Sequence, residues 1–240
     1  MNKTKKFIVL DTETCNTVNQ PIPYDIGWVV CDRLGRIYER RSYVIAEVFF
    51  DMADVMQTAY YAEKIPRYYE DIKGGSRKVA TMWTIRRQLL EDMKTYKTKR
   101  VGAYNMAFDK RALNNLIRYV SKSWKRWFFP FGTEFFCIWH CCCNLILSRK
   151  SYIDFAIDNN FISNADNILT NAECAYRYIT NDIDFKEEHT GLADCEIEVA
   201  LFAYCFKQHK KMITNINPSC WRTVQRKRKE LEFRQILKSA

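Results

Sequence analysis

Residues 7–16 read FIVLDTETCN, four apolar residues followed by two carboxylates, Asp11 and Glu13, with one threonine between them. A run of four apolar residues flanked by polar ones is typical of a central strand covered on both faces. Because side chains alternate along a strand, residues two apart share a face, with their Cα atoms about 6.6 Å apart. Two like charges held this close raise each other's pKa unless a cation lies between them. The stretch therefore predicts a buried strand that ends in a cation site.

The rest of the chain predicts an α/β domain with a mixed sheet. Two apolar segments joined by a turn read as an antiparallel hairpin, and helical spacing of apolar residues follows later, interrupted by short strand-like runs. The predicted hairpin covers 26–30 and 36–45; helices cover 76–96, a stretch from about residue 109, 165–180 and 191–211; later strands fall at 100–104 and within 124–147. Strands that later alternate with helices indicate one sheet flanked by helices.

Most of the positive charge lies near the end of the chain. The 240 residues suffice for one large domain, and the net charge is +10. Residues 207–240 hold ten Lys and Arg against two acidic residues, or +8 of that total, so we predict a domain over 1–206 and a basic extension over 207–240. The predicted phosphate-binding residues are Arg226, Lys227, Arg228 and Lys229. A solvated basic helix without a ligand is an equally good interpretation of this run.

Two compositional features concern the compartment. No apolar run approaches the roughly 20 residues that cross a bilayer, and MNKTKK leads straight into the first strand instead of a signal-peptide core. Three of the ten cysteines are consecutive, at 141–143, which favours free thiols over a disulfide framework. A cytoplasmic protein without membrane association is expected.

Two further carboxylates lie on helices at positions that should face the core. Asp109 precedes Leu113 by four residues and Asp194 precedes Ile197 by three, so each shares the apolar stripe of its helix. An ionised carboxylate at the edge of a core is costly unless it is paired or bound to a metal. Both also fall in first helical turns, where the helix dipole alone favours an acidic residue.

All four carboxylates are expected at one edge of the sheet. Active sites of open α/β sheets lie beyond the carboxyl ends of strands, and the first turn of a following helix opens onto the same rim. Hard oxygen ligands suit Mg2+ or Mn2+. Two such ions about 4 Å apart stabilise the attacking and leaving oxygens of a phosphoryl transfer. The predicted metal ligands are Asp11, Glu13, Asp109 and Asp194.

A histidine near the last carboxylate could accept a proton. His189 lies five residues before Asp194, about 140° away on a helical wheel, so both can face one site only if His189 lies on the preceding loop. Thr190 is a fitting N-cap, and Gly191 is a flexible point at which the imidazole could swing. A neutral histidine could act as general base near pH 7.

Three motifs in order resemble the DEDD, or DnaQ-like, 3'-5' exonucleases in the branch that uses histidine. FIVLDTET resembles the first motif, YNMAFD (Asn105 to Asp109) the second and HTGLAD (His189 to Asp194) the third. Each motif alone is frequent, but all three in order and in their expected contexts form a specific signal. The resemblance spans roughly residues 5–206, and HTGLADCEIE is most similar to phage-encoded members.

The resemblance implies a fold and a reaction. The fold is an α/β domain of ribonuclease H-like type, with a mixed five-stranded sheet flanked by helices, to which this chain adds a basic C-terminal helical tail. The reaction is hydrolytic release of 5'-mononucleotides from a free 3' end of nucleic acid. Our leading hypothesis takes single-stranded DNA as the substrate.

The resemblance also implies a role for each matched residue. Asp11 bridges two metal ions, Glu13 and Asp194 hold the ion next to the attacking water, and Asp109 helps to hold the second ion. His189 is the general base. The substrate-binding positions are Thr12, whose backbone approaches the terminal nucleotide, and Asn105, which braces the site by hydrogen bonds.

Some residues depart from the family pattern. Tyr104 stands where many relatives have histidine, and Cys15 and Asn16 stand where Thr-Gly is common. Cys137 begins a cysteine-rich stretch where relatives often have Asp-Thr-Leu. These departures concern substrate fit, because none touches the five matched catalytic positions.

Several stretches have a second interpretation. Residues 137–143 could suggest zinc, but they lack paired C-x-x-C units and fit free thiols in a core better. Residues 124–127, WKRW, could stack bases beside phosphates or pack in the core or at its edge. Glu196 and Glu198 read as a solvated helix face.

Two other functions compete with the leading one. The first is trimming of RNA or short oligonucleotides, as in the ribonuclease T and oligoribonuclease branches; the contacts that recognise a 2'-hydroxyl are too local to read from sequence. The second is a nucleic-acid-binding or adaptor protein that uses the basic extension. An inward acidic cluster argues against a pure binder, because it repels phosphate.

Overall fold

A six-stranded mixed sheet forms the centre of the computed structural model, which describes residues 5–239 and the side chains through Leu237. Residues 1–4 and 240, which belong to the predicted domain and extension, lie outside the described residues. The strands are β1 (Lys6–Thr17), β2 (Gln20–Asp32), β3 (Ile37–Ile45), β4 (Lys78–Ala80), β5 (Arg100–Ala103) and β6 (Glu134–Cys137). They lie in the order β4-β3-β2-β1-β5-β6, with β2 antiparallel to both of its neighbours and the other pairs parallel.

Helices cover both faces of this sheet. They are α1 (Ala46–Phe49), α2 (Ala53–Met56), α3 (Ile65–Lys73), α4 (Met82–Thr95), α5 (Met106–Ser121), α6 (Ile138–Cys142), α7 (Lys150–Asp158), α8 (Ala172–Thr180), α9 (Gly191–Lys207) and α10 (Arg222–Ser239), with a 3-10 turn at Ala62–Lys64 and a π-helical segment at Cys143–Leu147. The predicted α/β class, the mixed sheet, the first hairpin and the helix that carries Asp109 are confirmed.

The sheet differs from the prediction in two respects. β1 continues through both carboxylates because it pairs with β2 along its whole length, from Lys6 opposite Asp32 to Thr17 opposite Gln20. A short strand, β4, pairs with β3 inside the segment predicted as the start of a helix. That helix begins only at Met82, and this extra pairing raises the predicted five strands to six.

Side chains of β1 alternate between two cores. Ile8 and Leu10 pack on the side of α4 and α5, and Phe7 and Val9 pack on the side of α6, α7 and α9. All ten cysteines are buried free thiols, and the consecutive three belong to the second core, as predicted for this stretch.

The beginning of α10 packs against the second core. Val224 is fully buried there, and the Gln225 side chain makes two hydrogen bonds of 2.9 Å with the backbone of Ile168. Part of the basic extension is therefore attached to the sheet domain by buried contacts. Within residues 5–239, no helix has the length and apolar character needed to cross a membrane.

Candidate functional site

A cavity of about 420 Å3 opens beyond the parallel part of the sheet. β1 pairs with β5 at Ile8 and Val9 only, and β5 ends at Ala103, so the following stretch of β1 faces the cavity on that side. The predicted catalytic and nucleotide-contacting residues in its wall are Asp11, Thr12, Glu13, Asn105, Asp109, His189 and Asp194. The structure thus brings together side chains from β1, α5, α9 and the loop before α9.

The alternation of β1 distributes its site residues over both faces. Asp11 and Glu13 follow Val9 in the alternation that leads to the α9 side, whereas Thr12 points towards α5. The buried Thr12 hydroxyl donates a hydrogen bond of 2.9 Å to Asp109 Oδ1. β1 therefore contributes its two carboxylates on the α9 side and contacts Asp109 of α5 through Thr12 on the other side.

Two glycines bring the start of α9 against β2. Gly27 pairs with Asp11 across the strands, and a Cβ on Gly27 would lie 2.2 Å from the carbonyl carbon of Gly191. A Cβ on Gly191 would lie 2.5 Å from the Gly27 nitrogen. The predicted flexibility of Gly191 is thus not what this position requires, because close backbone packing explains the glycine.

Asp25 fixes the N-terminus of α9. This fully buried carboxylate accepts hydrogen bonds from the backbone N–H of Gly191 at 3.1 Å, from the Tyr68 hydroxyl at 2.7 Å and from Arg77 Nη1 at 2.9 Å. Thr190 is the N-cap residue as predicted, but its side chain makes no capping bond. The capping acceptor comes from β2 instead, which ties α9 to the sheet beside the cavity.

His189 lies on the loop before α9, as predicted. Its φ of +53° is in the left-handed region, and its imidazole stacks on the Tyr61 ring with centroids 3.9 Å apart and planes 13° apart. His189 Nδ1 is 3.8 Å from Glu187 Oε2. Burial lowers the pKa of His189, so the ring is neutral at pH 7 and able to accept a proton.

Burial raises the pKa of every acidic side chain in this wall, and repulsion from neighbouring carboxylates raises it further for Asp11, Glu13, Asp194 and Glu198. The pKa of Glu13 rises to about 9 and that of Asp194 to about 8, first through burial and then through neighbouring carboxylates. Burial raises the pKa of Asp109 to about 7 although its bond from Thr12 lowers it, and the pKa of Asp11 is raised well above its usual range. A cation in the cavity would relieve this repulsion.

Three of these side chains could hold one metal ion. One ligand atom each from Glu13, His189 and Asp194 lies within 4.8 Å of the other two. Asp194 Oδ1 is buried without a hydrogen-bond partner among the described residues, which fits a role as a metal ligand. Asp11 and Asp109 line the same cavity but are not members of this close set.

The prediction of a solvated helix face is correct for Glu196 and wrong for Glu198. Glu196 is on a solvated face and pairs with Arg40 at 2.6 Å, but Glu198 is only 3% exposed and lines the cavity. The signal that could have found Glu198 is its spacing, because it follows Asp194 by four residues on one helix.

Asn105 lines the cavity too, yet its buried Oδ1 has no hydrogen-bond partner in the described structure, so the predicted bracing is not observed.

The predicted phosphate-binding residues of α10 do not line this cavity. Arg228 pairs with Asp166 at 3.1 Å and with Glu232 at 2.7 Å, and Lys227 pairs with Glu230 at 3.1 Å. The two exposed members of the run, Arg226 and Lys229, line a shallow groove on α10.

A second surface combines exposed aromatic rings with cations. Trp124 and Trp127 are 76% and 57% exposed, so neither ring lies in the core. Cations lie 5.6 Å from the ring centroid of Trp124, 4.7 Å from that of Trp127 and 5.3 Å from that of Trp83. We call this the aromatic–basic surface; it consists of Trp83, Arg118, Trp124, Lys125, Arg126, Trp127 and Phe131.

Comparison with known proteins relates the chain to exonucleases through its fold. No protein-family model matches it, and no curated protein matches it. A full-length 3'-exonuclease matches with a TM-score of 0.54 and 12% identity, over 92% of this chain and 90% of that one. E. coli exonuclease I in complex with a dA16 oligonucleotide matches with a TM-score of 0.53 and 15% identity, over 85% of this chain and 43% of that one. Cell-death related nuclease 4 (CRN-4) matches with a TM-score of 0.51 and 10% identity, over 89% of this chain and 67% of that one.

These comparisons define the class of fold. At such identities the likeness concerns the fold alone, and this chain spans less than half of the length of exonuclease I. The chain has the ribonuclease H-like α/β fold of these exonucleases, a mixed sheet flanked by helices.

Proposed function

We propose that this protein is a metal-dependent 3'-5' exonuclease that hydrolyses nucleic acid from a free 3' end to 5'-mononucleotides. The observation that carries the proposal is the meeting of four carboxylates and a histidine, from three elements and a loop, in one cavity at the open end of β1. The shared fold with a 3'-exonuclease and with exonuclease I supports the same class. Within that class, the order of the three motifs favours the histidine branch of the DEDD exonucleases; a phage origin stays a prediction.

The acidic residues fit a pair of Mg2+ or Mn2+ ions. The proposed ligands Asp11, Glu13, Asp109 and Asp194 offer hard oxygen donors. The unpartnered Asp194 Oδ1 and the raised pKa values support a cation-binding role for this wall. When bound, two such ions would stabilise the charges on the attacking and leaving oxygens.

The remaining side chains would deprotonate the attacking water and position the metal ligands and the substrate. His189 would take a proton from the attacking water, since burial keeps it neutral and Tyr61 holds its ring plane. The Thr12 hydroxyl orients the Asp109 carboxylate, and the Thr12 backbone would lie against the terminal nucleotide. Asn105 would use its unpartnered Oδ1 for a contact made only with substrate or ions bound.

Single-stranded DNA is the favoured substrate. The aromatic–basic surface offers exposed rings on which bases can stack, each beside a cation that can bind phosphate. A duplex keeps its bases stacked on one another and would not use such rings. The proposed domain over 1–206 would carry catalysis, and the extension over 207–240 would add affinity for longer strands through Arg226 and Lys229.

The proposal is tested with 5'-labelled single-stranded DNA, duplex DNA and RNA, each with Mg2+ or Mn2+. A ladder that shortens from the 3' end is expected, strongest on single-stranded DNA, and lost with EDTA and in Asp11→Asn. Asp51→Asn, on the exposed loop after α1, is the matched control and should retain activity. A ladder on RNA alone would favour the trimming alternative. Binding without cleavage under every condition would favour the adaptor alternative and refute the proposal.

A further inference from the structure

Glu198 is a buried carboxylate without a use in the proposed reaction. It lies on α9, is 3% exposed, and lines the same cavity as the proposed metal ligands. Its Oε2 is buried and has no hydrogen-bond partner among the described residues. Buried carboxylates are ordinarily paired with a cation or held by hydrogen bonds, because removing the charge from water is costly.

The cavity supplies no protein cation for this side chain. None of the described residues that line it is a lysine or an arginine. Four other acidic residues of the wall, Asp11, Asp109, Asp194 and Glu187, repel Glu198 instead of compensating it. The chain itself therefore supplies no positive charge beside which Glu198 could ionise, so the ionised form needs a cation from outside the chain.

Helix geometry places Glu198 on the same face of α9 as Asp194. Residues four apart on a helix lie one above the other on one face, and both side chains have a buried oxygen without a partner, Oδ1 of Asp194 and Oε2 of Glu198. Glu196, two residues away from each, lies on the solvent side. One turn of α9 thus directs two carboxylates into the cavity, each with one oxygen that has no hydrogen-bond partner among the described residues, while Glu198 also accepts a backbone hydrogen bond from Tyr104.

We propose that Glu198 is a fifth acidic ligand of the divalent ions, bound directly or through one water beside Asp194. This inference rests on the proposed metal-dependent function and extends its ligand set. Four carboxylates balance the charge of two divalent ions, so a fifth leaves an excess of negative charge. That excess strengthens ion binding in the absence of substrate, and the ions then remain in the cavity when a product nucleotide leaves.

The test measures Mn2+ binding by isothermal titration calorimetry and by electron paramagnetic resonance on the full-length protein without nucleic acid. Glu198→Gln keeps the side-chain shape and removes the charge, and it is expected to weaken Mn2+ binding by about 10- to 100-fold, the range known for residues that support metal ligands. Glu196→Gln makes the same change on the solvent side of the same helix and should bind Mn2+ like the wild type.

Equal Mn2+ affinity in Glu198→Gln and Glu196→Gln would overturn the inference. A crystal structure of the wild type with Mn2+ supplies a second readout that does not depend on how a variant folds. Anomalous density should place Mn2+ in direct or one-water contact with the Glu198 carboxylate, and a longer separation would also overturn the inference. If the wild type and Asp11→Asn both fail to bind Mn2+, the proposed function itself fails. If the wild type binds Mn2+ but Glu198 makes no contribution, only the present inference fails.

Discussion

At the scale of single residues, His189 is held in one orientation before any substrate arrives. Its positive φ and its stack on Tyr61 fix the ring at the rim of the cavity. Burial of the neutral ring lowers its pKa. These features suit a group that accepts a proton near neutral pH and is already oriented for that transfer.

His189→Gln is therefore expected to lower kcat by about 10²- to 10⁴-fold, the range of a lost general base. The Kd for a single-stranded oligonucleotide in Ca2+ should stay nearly unchanged, because the glutamine keeps a polar side chain of similar reach. His209→Gln, at an exposed histidine after α9, is the control. A kcat within twofold of wild type in His189→Gln would exclude its role as base.

The acidic residues illustrate what spacing alone can predict. The strand period of two puts Asp11 and Glu13 on one face, and the helix period puts Asp109 and Asp194 on apolar stripes, so all four could be located without coordinates. Glu198 was missed because it was grouped with Glu196, although residues two apart on a helix lie about 200° apart. The contact of Tyr61 with His189 joins residues 128 positions apart and carries no local signal.

At the scale of elements, the position of α9 depends on backbone contact with β2. Gly27 and Gly191 allow that approach, and Asp25 fixes the first N–H of the helix. The sequence predicts α9 and β2 separately, since each has its own periodicity. Their close approach, the full length of β1 and the short strand β4 follow from pairing between distant segments, which periodicity does not encode.

Gly27→Ala is expected to shift the start of α9, and with it Asp194, away from β2. The added Cβ would lie 2.2 Å from the carbonyl carbon of Gly191, and relieving such overpacking costs about 1–3 kcal/mol. We expect a lower Tm together with weaker Mg2+ binding. Gly74→Ala, where the nearest atom is 3.3 Å away at an exposed helix end, is the control. Unchanged Mg2+ affinity in Gly27→Ala would contradict this positioning role.

The basic extension leads to a prediction about α10. Arg228 is engaged in ion pairs with Asp166 and Glu232, so the residues available for phosphate are Arg226 and Lys229. The double variant Arg226→Gln/Lys229→Gln should bind a long single strand more weakly, with its log–log salt slope reduced by roughly 1.4, because each phosphate contact contributes roughly 0.7. Cleavage of a dinucleotide should not change.

A control for this double variant makes the same charge change elsewhere. Arg33 lies in the turn between β2 and β3, and Lys99 lies just before β5, both exposed and beyond the strand ends opposite the cavity. Arg33→Gln/Lys99→Gln should leave the salt slope as in the wild type. Equal slopes in the two double variants would attribute the effect to net charge and not to α10.

At the scale of the whole molecule, the acidic cavity opposes folding when no cation is bound. The raised pKa values of Asp109, Asp194 and Glu13, about 7, 8 and 9, mean that the folded chain holds protons which the unfolded chain, with ordinary carboxyl pKa values near 4, has lost. Stability without metal must therefore fall as pH rises from about 4 to about 9.

This linkage predicts opposite effects of pH with and without metal. In EDTA, Tm should decrease from pH 5 to pH 9, whereas the gain in Tm on adding Mg2+ should increase over the same range, because the ligands must be deprotonated to bind. Glu13→Gln removes one raised carboxyl group and should flatten the decrease in EDTA, with a higher Tm than the wild type at pH 9 and a smaller gain from Mg2+. Thermal unfolding followed by circular dichroism measures the Tm in EDTA and the gain in Tm on adding Mg2+, for the wild type and for Glu13→Gln. If Tm in EDTA instead increases through this window, the carboxylates of the cavity are not clustered in solution as the structure describes them, and the common basis of the proposed metal site is lost.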